Sequence, residues 1–291
     1  MRILITGGAG FIGSNLADCL ATKGHSVTVL DNFSTGKKEN LPHDVTVVHG
    51  DTTNKNDLKN LVGFDVVFHL AAKVSVPLSI KDPFETISTN VMGTVNILDR
   101  FRDADIVFVS SAAVYGETNG KVKEDSPLRP RSPYAASKAM GEVYCNSHAE
   151  VYGTKISILR PFNVYGPRQD ASNPYAGVIV KMMDLAKRNE PLIIFGDGEQ
   201  TRDFVHVQDV CRALELALGK GGTYNIGTGV ETSINNLASI IIEACCSKSI
   251  VTGAPEESGQ IKHSVADISK ARKELRYEPK IGIKHGIEGL L

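Results

Sequence analysis

Tyr134 and Lys138 stand four residues apart in Pro133-Tyr134-Ala135-Ala136-Ser137-Lys138, a stretch that reads as the first turns of a helix. That spacing puts both side chains on one helix face. A tyrosine titrates at about 10 in water, so a phenol that works as a base at neutral pH needs a positive charge beside it. Lys138 is expected to supply that charge. Alone the pair is a weak signal, because a Tyr one turn from a Lys is usually surface packing. Ser110 and Ser111 add to it: they end an apolar strand, Ile106 to Val109, and a crossover would return the Tyr134 helix onto the same sheet. A hydroxyl, a phenol and an ammonium brought together suit proton transfer at a carbinol oxygen, with Tyr134 moving the proton and Ser111 orienting the oxygen. The plainer reading of Ser111 is a strand-end serine bonded to local backbone.

Proton transfer of this kind accompanies hydride transfer, and the N-terminus offers a site for a hydride acceptor. Arg2 to Thr6 reads as a short buried strand, followed at once by Gly7-Gly8-Ala9-Gly10-Phe11-Ile12-Gly13. Ser14 to Lys23 has helical apolar spacing, Gly24 can end it, and Val27 to Leu30 gives a second strand that stops at Asp31. Gly8-x-Gly10-x-x-Gly13 is the dinucleotide pattern, and Gly7-x-x-Gly10-x-x-Gly13 is a variant of it. Glycine lets a pyrophosphate approach the helix N-terminus, where free N–H groups and the dipole favour negative charge. Asp31 can accept hydrogen bonds from a ribose and would repel a 2′-phosphate, so NAD is expected over NADP. The alternative is a glycine-rich turn in an unrelated α/β fold.

Further strands are expected at Val45 to His49, Val66 to Leu70, Ile106 to Val109 and Ile156 to Leu159, with helices at Asp57 to Leu61, Pro83 to Arg102 and Pro133 to Tyr152. This alternation argues for an α/β fold with a doubly wound parallel (Rossmann) sheet. Ligands of such sheets bind beyond the carboxyl ends of the strands. The cofactor is therefore expected along Gly7, Gly10, Phe11, Ile12, Gly13, Asp31, Asn32, Ser34, Thr35, Gly36, Asp51, Leu70, Ala71, Ala72, Lys73 and Pro161, beside Tyr134 and Lys138. Past residue 165 proline and glycine become frequent and the elements shorten. Strands at Leu192 to Phe195, Phe204 to Val207 and Tyr224 to Ile226 interleave with helices at Asp209 to Leu218 and Ile234 to Ala244. We divide the chain into a cofactor domain, 1–165, and a smaller C-terminal substrate-binding α/β lobe, 166–291, from which some elements return to the main sheet.

Composition narrows the function. The 291 residues are 42% hydrophobic and 22% charged, with a net charge of −1. No basic excess points to nucleic acid, and no run is long enough to cross a membrane. The five cysteines, Cys19, Cys145, Cys211, Cys245 and Cys246, have neither disulfide-framework nor zinc spacing. A reduced, cytoplasmic protein without a bound metal is expected.

An ordered set of motifs spans residues 1 to about 280. It comprises Thr6 to Gly13, Asp31-Asn32, His69-Leu70-Ala71-Ala72, Asn90-Val91-x-Gly93-Thr94, Ser110-Ser111-x-x-Val114-Tyr115-Gly116, Tyr134-x-x-x-Lys138, Arg160 to Pro167, Gly196-Asp197-Gly198, Arg202 to Val207 and Asn225-Ile226-Gly227. The set resembles the extended short-chain dehydrogenase/reductase family, and within it the UDP-glucose 4-epimerases. The resemblance implies that Ser111, Tyr134 and Lys138 form the catalytic group, adds Asn90 to the NAD contacts, and implies epimerisation of a UDP-hexose through a 4-keto sugar. It further implies that Asn163 contacts the diphosphate region, that Ile193 and Phe195 flank the base, and that Arg202 pairs with the diphosphate. Phe195 could equally be core, and Arg202 could pair with Asp203 at the surface.

Two departures concern the substrate. Glu257 and Gln260 stand where the family usually has an arginine for the diphosphate and an aspartate for the ribose, so either this loop turns away or the diphosphate relies on Arg202, with Arg168. Ala112 and Ala113 replace the acidic pair of the family's 4,6-dehydratases. Ser264 aligns with a gating position, and its small size leads us to expect that UDP-N-acetylhexosamines are accepted. The competing readings are a nucleotide-sugar reductase, decarboxylase or dehydratase of the same family, and a non-catalytic dinucleotide sensor. The helices at Pro83 to Arg102 and Pro133 to Tyr152 carry apolar surface suited to a homodimer through a helix bundle.

Overall fold

The computed structural model of the chain describes residues 1–118, 120–169, 177–256 and 261–291. Glu257 and Gln260 lie outside the described residues. The first part runs β1 (Arg2–Thr6), α1 (Phe11–Thr22), β2 (Ser26–Asp31), β3 (Thr46–His49), α2 (Lys55–Leu58), β4 (Val66–His69), α3 (Val76–Lys81), α4 (Pro83–Ile87), α5 (Gly93–Arg100), β5 (Asp105–Val109), β6 (Lys121–Val122), α6 (Pro133–Tyr152) and β7 (Ile156–Pro161). The second part runs β8 (Asn163–Tyr165), α7 (Val178–Lys187), β9 (Leu192–Phe195), β10 (Thr201–Arg202), β11 (Phe204–His206), α8 (Val207–Leu216), β12 (Gly222–Ile226), β13 (Thr232–Ser233), α9 (Ile234–Ala244), β14 (Val251–Ala254), β15 (His263–Ala266), α10 (Ser269–Leu275) and α11 (Ile283–Glu288).

Seven strands form one parallel sheet in the order β12-β7-β5-β4-β1-β2-β3. Its central strands read as unbroken apolar runs because helices cover both faces. Alternate residues serve opposite faces: Ile3 and Ile5 join Leu16 and Leu20 of α1 and Val210 and Leu214 of α8, whereas Leu4 joins Ile97 of α5 and Cys145 of α6. The sheet is doubly wound, as the alternating pattern predicts. Elements beyond residue 165 complete it, since β12 pairs with β7 at the edge and α8 packs on the face that α1 covers. The smaller lobe has its own core of Ile179, Met182, Leu192, Ile194, Leu237 and Ile241.

The stretch expected as a helix from Pro83 to Arg102 is helical without a break to Arg100, but not α-helical throughout. It runs as α4, a π-helical turn at Ser88–Met92, and α5. The bulge coincides with two close approaches: Asn90 is buried against the Lys73 backbone, and a Cβ on Gly93 would lie 2.6 Å from the Thr52 hydroxyl. Helix α3 lies outside the expected elements.

By contrast α6 has the expected limits, because both ends are marked chemically. Ser132 caps the first turn by accepting from the Ala135 amide at 3.1 Å, Pro133 follows it, and Gly153 closes the helix in the left-handed conformation. A Cβ on Gly141 would come 2.7 Å from the Phe108 ring, so α6 lies close on β5. One turn beyond Lys138, Glu142 takes the Arg160 guanidinium of β7 in a two-pronged ion pair at 2.9 and 2.5 Å and also accepts from Ser110. Arg160 donates further to the Tyr115 hydroxyl at 2.7 Å, and Tyr115 to Asn225 at 2.6 Å. Both members of the ion pair are buried. Removing one would strand the other's charge away from water. Arg160→Met is therefore expected to lose about 3 to 5 kcal/mol of unfolding free energy in urea titration; an unchanged midpoint and slope would show that the pair does not hold α6.

Candidate active site

One cavity opens at the carboxyl ends of β1, β2, β4, β5 and β7. Its wall includes Gly7, Gly10, Phe11, Ile12, Gly13, Asp31, Asn32, Ser34, Thr35, Asp51, Leu70, Ala71, Ala72, Lys73 and Pro161 from the expected cofactor residues. The same wall carries Ser111, Tyr134 and Lys138. Two expected residues are absent from it. Gly36 packs behind the glycine loop, where a Cβ would lie 2.8 Å from Ala9, and Asn90 is buried, gripping the Lys73 amide at 2.7 Å and the Lys73 carbonyl at 3.0 Å. Asn90 thus shapes the Lys73 loop without lining the cavity.

The glycine loop packs against its own backbone at positions where no side chain could fit. Gly7 has φ +69°, and a Cβ there would be 2.7 Å from the Ala71 backbone. A Cβ on Gly13 would sit 2.3 Å from the Gly7 carbonyl. The residues fit a pyrophosphate at the α1 N-terminus. Asp31 accepts from the Ala9 amide at 2.9 Å and the Phe33 amide at 2.8 Å, which fixes its carboxylate at the end of β2 with acceptor capacity left for ribose hydroxyls. Partial burial pushes the Asp51 carboxyl up, but hydrogen bonds from Thr53 and Asn32 outweigh this and hold it below the usual range. No group of three or more His, Cys, Asp or Glu among the described residues could hold a metal ion, and no helix among them is long and apolar enough to cross a membrane.

At the other end of the cavity the side chains do less for one another than their spacing suggests. Burial pushes the Tyr134 phenol up, and the hydrogen bond with Ser111 draws it back. The Lys138 ammonium donates to the Val109 carbonyl at 2.7 Å. Burial brings Lys138 down to about 8, opposed by Cys145 and Glu142. Ser111 also caps the following turn, Ala112–Tyr115, accepting from the Ala113 amide at 3.1 Å. Its plainer, backbone-bonding reading therefore holds alongside its place in the cavity.

His69 lies between the two ends. It is buried between the hydroxyls of Thr6, 2.7 Å from Nδ1, and Thr94, 2.9 Å from Nε2. Burial takes it to about 3, so it stays neutral. Thr94 gives its proton to the Asn90 carbonyl at 2.6 Å, and the network therefore assigns the His69 proton to Nε2. The chain of bonds ties β1 and β4 to the helix that carries Asn90, and Asn90 donates on to Ser137 of α6 at 2.8 Å.

Of the residues expected on the substrate side, Ser111 is in this wall and Asn163, Ile193, Phe195 and Arg202 are not. Ile193 and Phe195 are 53% and 39% exposed on β9, while the alternate Leu192 and Ile194 are buried, so Phe195 is not core. Asp203 is fully buried and accepts from Thr228, Gly229 and Ala266, which excludes a surface pair with Arg202. Arg202 donates to the carbonyls of Thr201 at 2.8 Å and Lys262 at 3.4 Å and has no carboxylate partner among the described residues. Burial holds its guanidinium below its usual range. Asn163 donates to the Asp203 carbonyl at 3.3 Å. Arg168, expected to assist at a diphosphate, is instead tied to α1 through the Ser14 carbonyl at 2.7 Å and Asp18 at 3.0 Å. The wall also contains Thr52, Thr89 and Gln169, which the motif reading missed, and Phe162 and Val164, which it quoted without giving them a role. Phe162 lies within the Arg160 to Pro167 motif, which could have pointed to it.

The Lys138 value has a sign that can be measured. Its folded value, about 8, lies below the ordinary 10.5, so between those pH values the unfolded chain binds more protons and native stability rises with pH. Lys138→Met lacks this gain. The stability of the variant relative to the native chain should therefore fall by up to about 1.4 kcal/mol per pH unit across that window in denaturant titrations; a pH-independent difference would contradict the burial of a charged Lys138.

The comparisons agree with this geometry. Residues 3–227 match the model of the NAD dependent epimerase/dehydratase family. A putative UDP-glucose 4-epimerase of Methanocaldococcus jannaschii is 43% identical over 98% of this chain and 96% of its own. The UDP-glucose 4-epimerase of Thermotoga maritima, solved with UDP-glucose, superposes with a TM-score of 0.96 at 37% identity, covering 99% of this chain and 97% of that one. A UDP-N-acetyl-alpha-D-glucosaminuronate decarboxylase of Bacillus cytotoxicus is 35% identical over 99% of this chain and 96% of its own. The chain belongs to the NAD dependent epimerase/dehydratase family, the extended short-chain dehydrogenase/reductases that act with NAD on nucleotide sugars.

Proposed function

We propose that the protein is a nucleotide-sugar 4-epimerase that interconverts UDP-glucose and UDP-galactose through a 4-keto sugar. The observation that carries this reading is the meeting of Ser111, Tyr134 and Lys138 with the glycine cradle in one cavity. Bound NAD supplies the hydride acceptor and, when oxidised, a positive ring. Tyr134 removes the proton of the sugar 4-hydroxyl and returns it after the ketone has turned its other face; Ser111 orients the oxygen. Lys138, fixed on the Val109 carbonyl, holds a charge at the floor of the site. Arg202 holds the diphosphate with Asn163, and Ile193 and Phe195 take the base. Contacts so far from the reacting carbon keep the intermediate in place while it rotates.

The turn after Ser111 is Ala112–Tyr115, with no acid or base at Ala112 or Ala113, which speaks against dehydration. The decarboxylase relative makes a uronic-acid substrate the nearest competing reading. Ser264 pairs with Arg202 across the β10–β15 ladder, and its short side chain supports acceptance of UDP-N-acetylhexosamines. Incubation with UDP-glucose, UDP-galactose, their N-acetyl forms and UDP-glucuronate, with chromatographic separation of products, is expected to give 4-epimers of the neutral sugars. Tyr134→Phe should slow this by about a hundred- to ten-thousand-fold. Carbon dioxide release from the uronate without epimerisation would replace the reading, and full activity in the variant would remove Tyr134 from it.

The same reading includes a homodimer through α4 and α6. Met140, Val143, Tyr144 and Val151 form an exposed stripe at helical spacing on α6, and Phe84 of α4 is 83% exposed. A second copy related by a two-fold axis would cover these residues. Sedimentation equilibrium is expected to give twice the chain mass for the native protein and the single chain mass for Val143→Glu; a native monomer would refute the dimer.

A further inference from the structure

Two cysteines 192 positions apart in the chain are brought face to face by helices far from the reacting centre. Cys19 lies on α1 and is partly exposed; Cys211 lies on α8 and is fully buried. One turn beyond each, Lys23 and Glu215 meet in an ion pair at 2.6 Å. The offset is four residues on both helices, so α1 and α8 run in the same direction with matched turns, and the thiols occupy the level directly before the ion pair. Cys211 belongs to the core cluster against which Cys19 packs. Cys211 donates a hydrogen bond that draws Cys19 down to about 7, against burial and the carboxylates of Glu215 and Asp18, with Lys23 assisting. The same contact and burial push Cys211 well up, with Arg168 opposing. The remaining cysteines have other surroundings: Cys145 is buried under the opposite face of the sheet, and Cys245 and Cys246 end α9.

We propose that Cys19 and Cys211 form a dithiol that closes reversibly to a disulfide by exchange with a low-molecular-weight disulfide, tying α1 to α8. The partly exposed Cys19 thiolate attacks one sulfur of the small disulfide; a Cys19–S bond forms, the S–S bond breaks, and one small thiolate leaves with the electron pair. Cys211 then attacks Cys19 Sγ, its proton passes to the second small thiolate as that group is expelled, and a Cys19–Cys211 bond replaces the mixed disulfide. Two protein thiols are oxidised by two electrons, and one small disulfide is reduced to two thiols. The order follows from exposure, since Cys211 is out of reach of an external reagent and Cys19 is not. The bond would lie on the helix whose first turn forms the dinucleotide cradle, about two turns below it.

The test is treatment of the native full chain with oxidised glutathione, rapid alkylation of free thiols, and peptide mapping by mass spectrometry. The expected product is a Cys19–Cys211 cross-linked peptide pair lacking two hydrogens, which dithiothreitol restores to two free thiols. Cys211→Ser should instead accumulate a glutathione adduct on Cys19. A persistent glutathione adduct on Cys19 in the native chain, or a Cys19 left unmodified while exposed Cys246 reacts, would overturn the proposal.

Discussion

A carboxylate and a guanidinium shielded from water hold the reacting end of this protein together. Glu142 and Arg160 join α6 to β7, and each is satisfied by further bonds, Glu142 by Ser110 and Arg160 by Tyr115. Desolvating two charges makes such a pair a doubtful source of net stability compared with an apolar substitute. Its geometric effect is clearer. The two-pronged contact fixes the rotation of α6 about its own axis, and Lys138 and Tyr134 lie one and two turns before Glu142 on that helix. A rotation of α6 by one residue would take Tyr134 out of the cavity and Lys138 off the Val109 carbonyl.

The glycine loop imposes a second, steric constraint at the other end of the cavity. There the backbone crowds itself so closely that Gly7 and Gly13 admit no side chain. Between the loop and α6 runs the chain of bonds from Thr6 through His69, Thr94 and Asn90 to Ser137. The glycine loop and the helix that carries Tyr134 and Lys138 are thus parts of one connected interior, and the neutral His69 is a structural link within it.

Much of this was legible in the sequence. Strands β1, β2, β4 and β5 were apparent from short apolar or β-branched runs and α6 from the helical stretch Pro133 to Tyr152, because each depends on local chemistry. The π-helical turn at Ser88–Met92 was not, since a 3.6-residue period does not register one inserted residue. Lys138 was correctly placed on the face of Tyr134, but its tie to Val109, 29 residues away, depends on how α6 lies on β5. Glu142 sits at i+4 from Lys138 and was open to the same reasoning; nothing local marks Arg160 as its partner. In the second part β9 and α9 have their expected limits and β11, α8 and β12 lie close to theirs; where Ile193, Phe195 and Arg202 stand relative to the cavity is tertiary and carries no local signal.

In the proposed reaction hydrogen leaves C4 of the sugar and returns to it without passing through solvent. UDP-glucose carrying deuterium at C4 can be incubated with the protein in ordinary water and the product examined by NMR. UDP-galactose that retains the deuterium at C4 is expected; replacement by solvent hydrogen would rule out transfer to and from a bound cofactor.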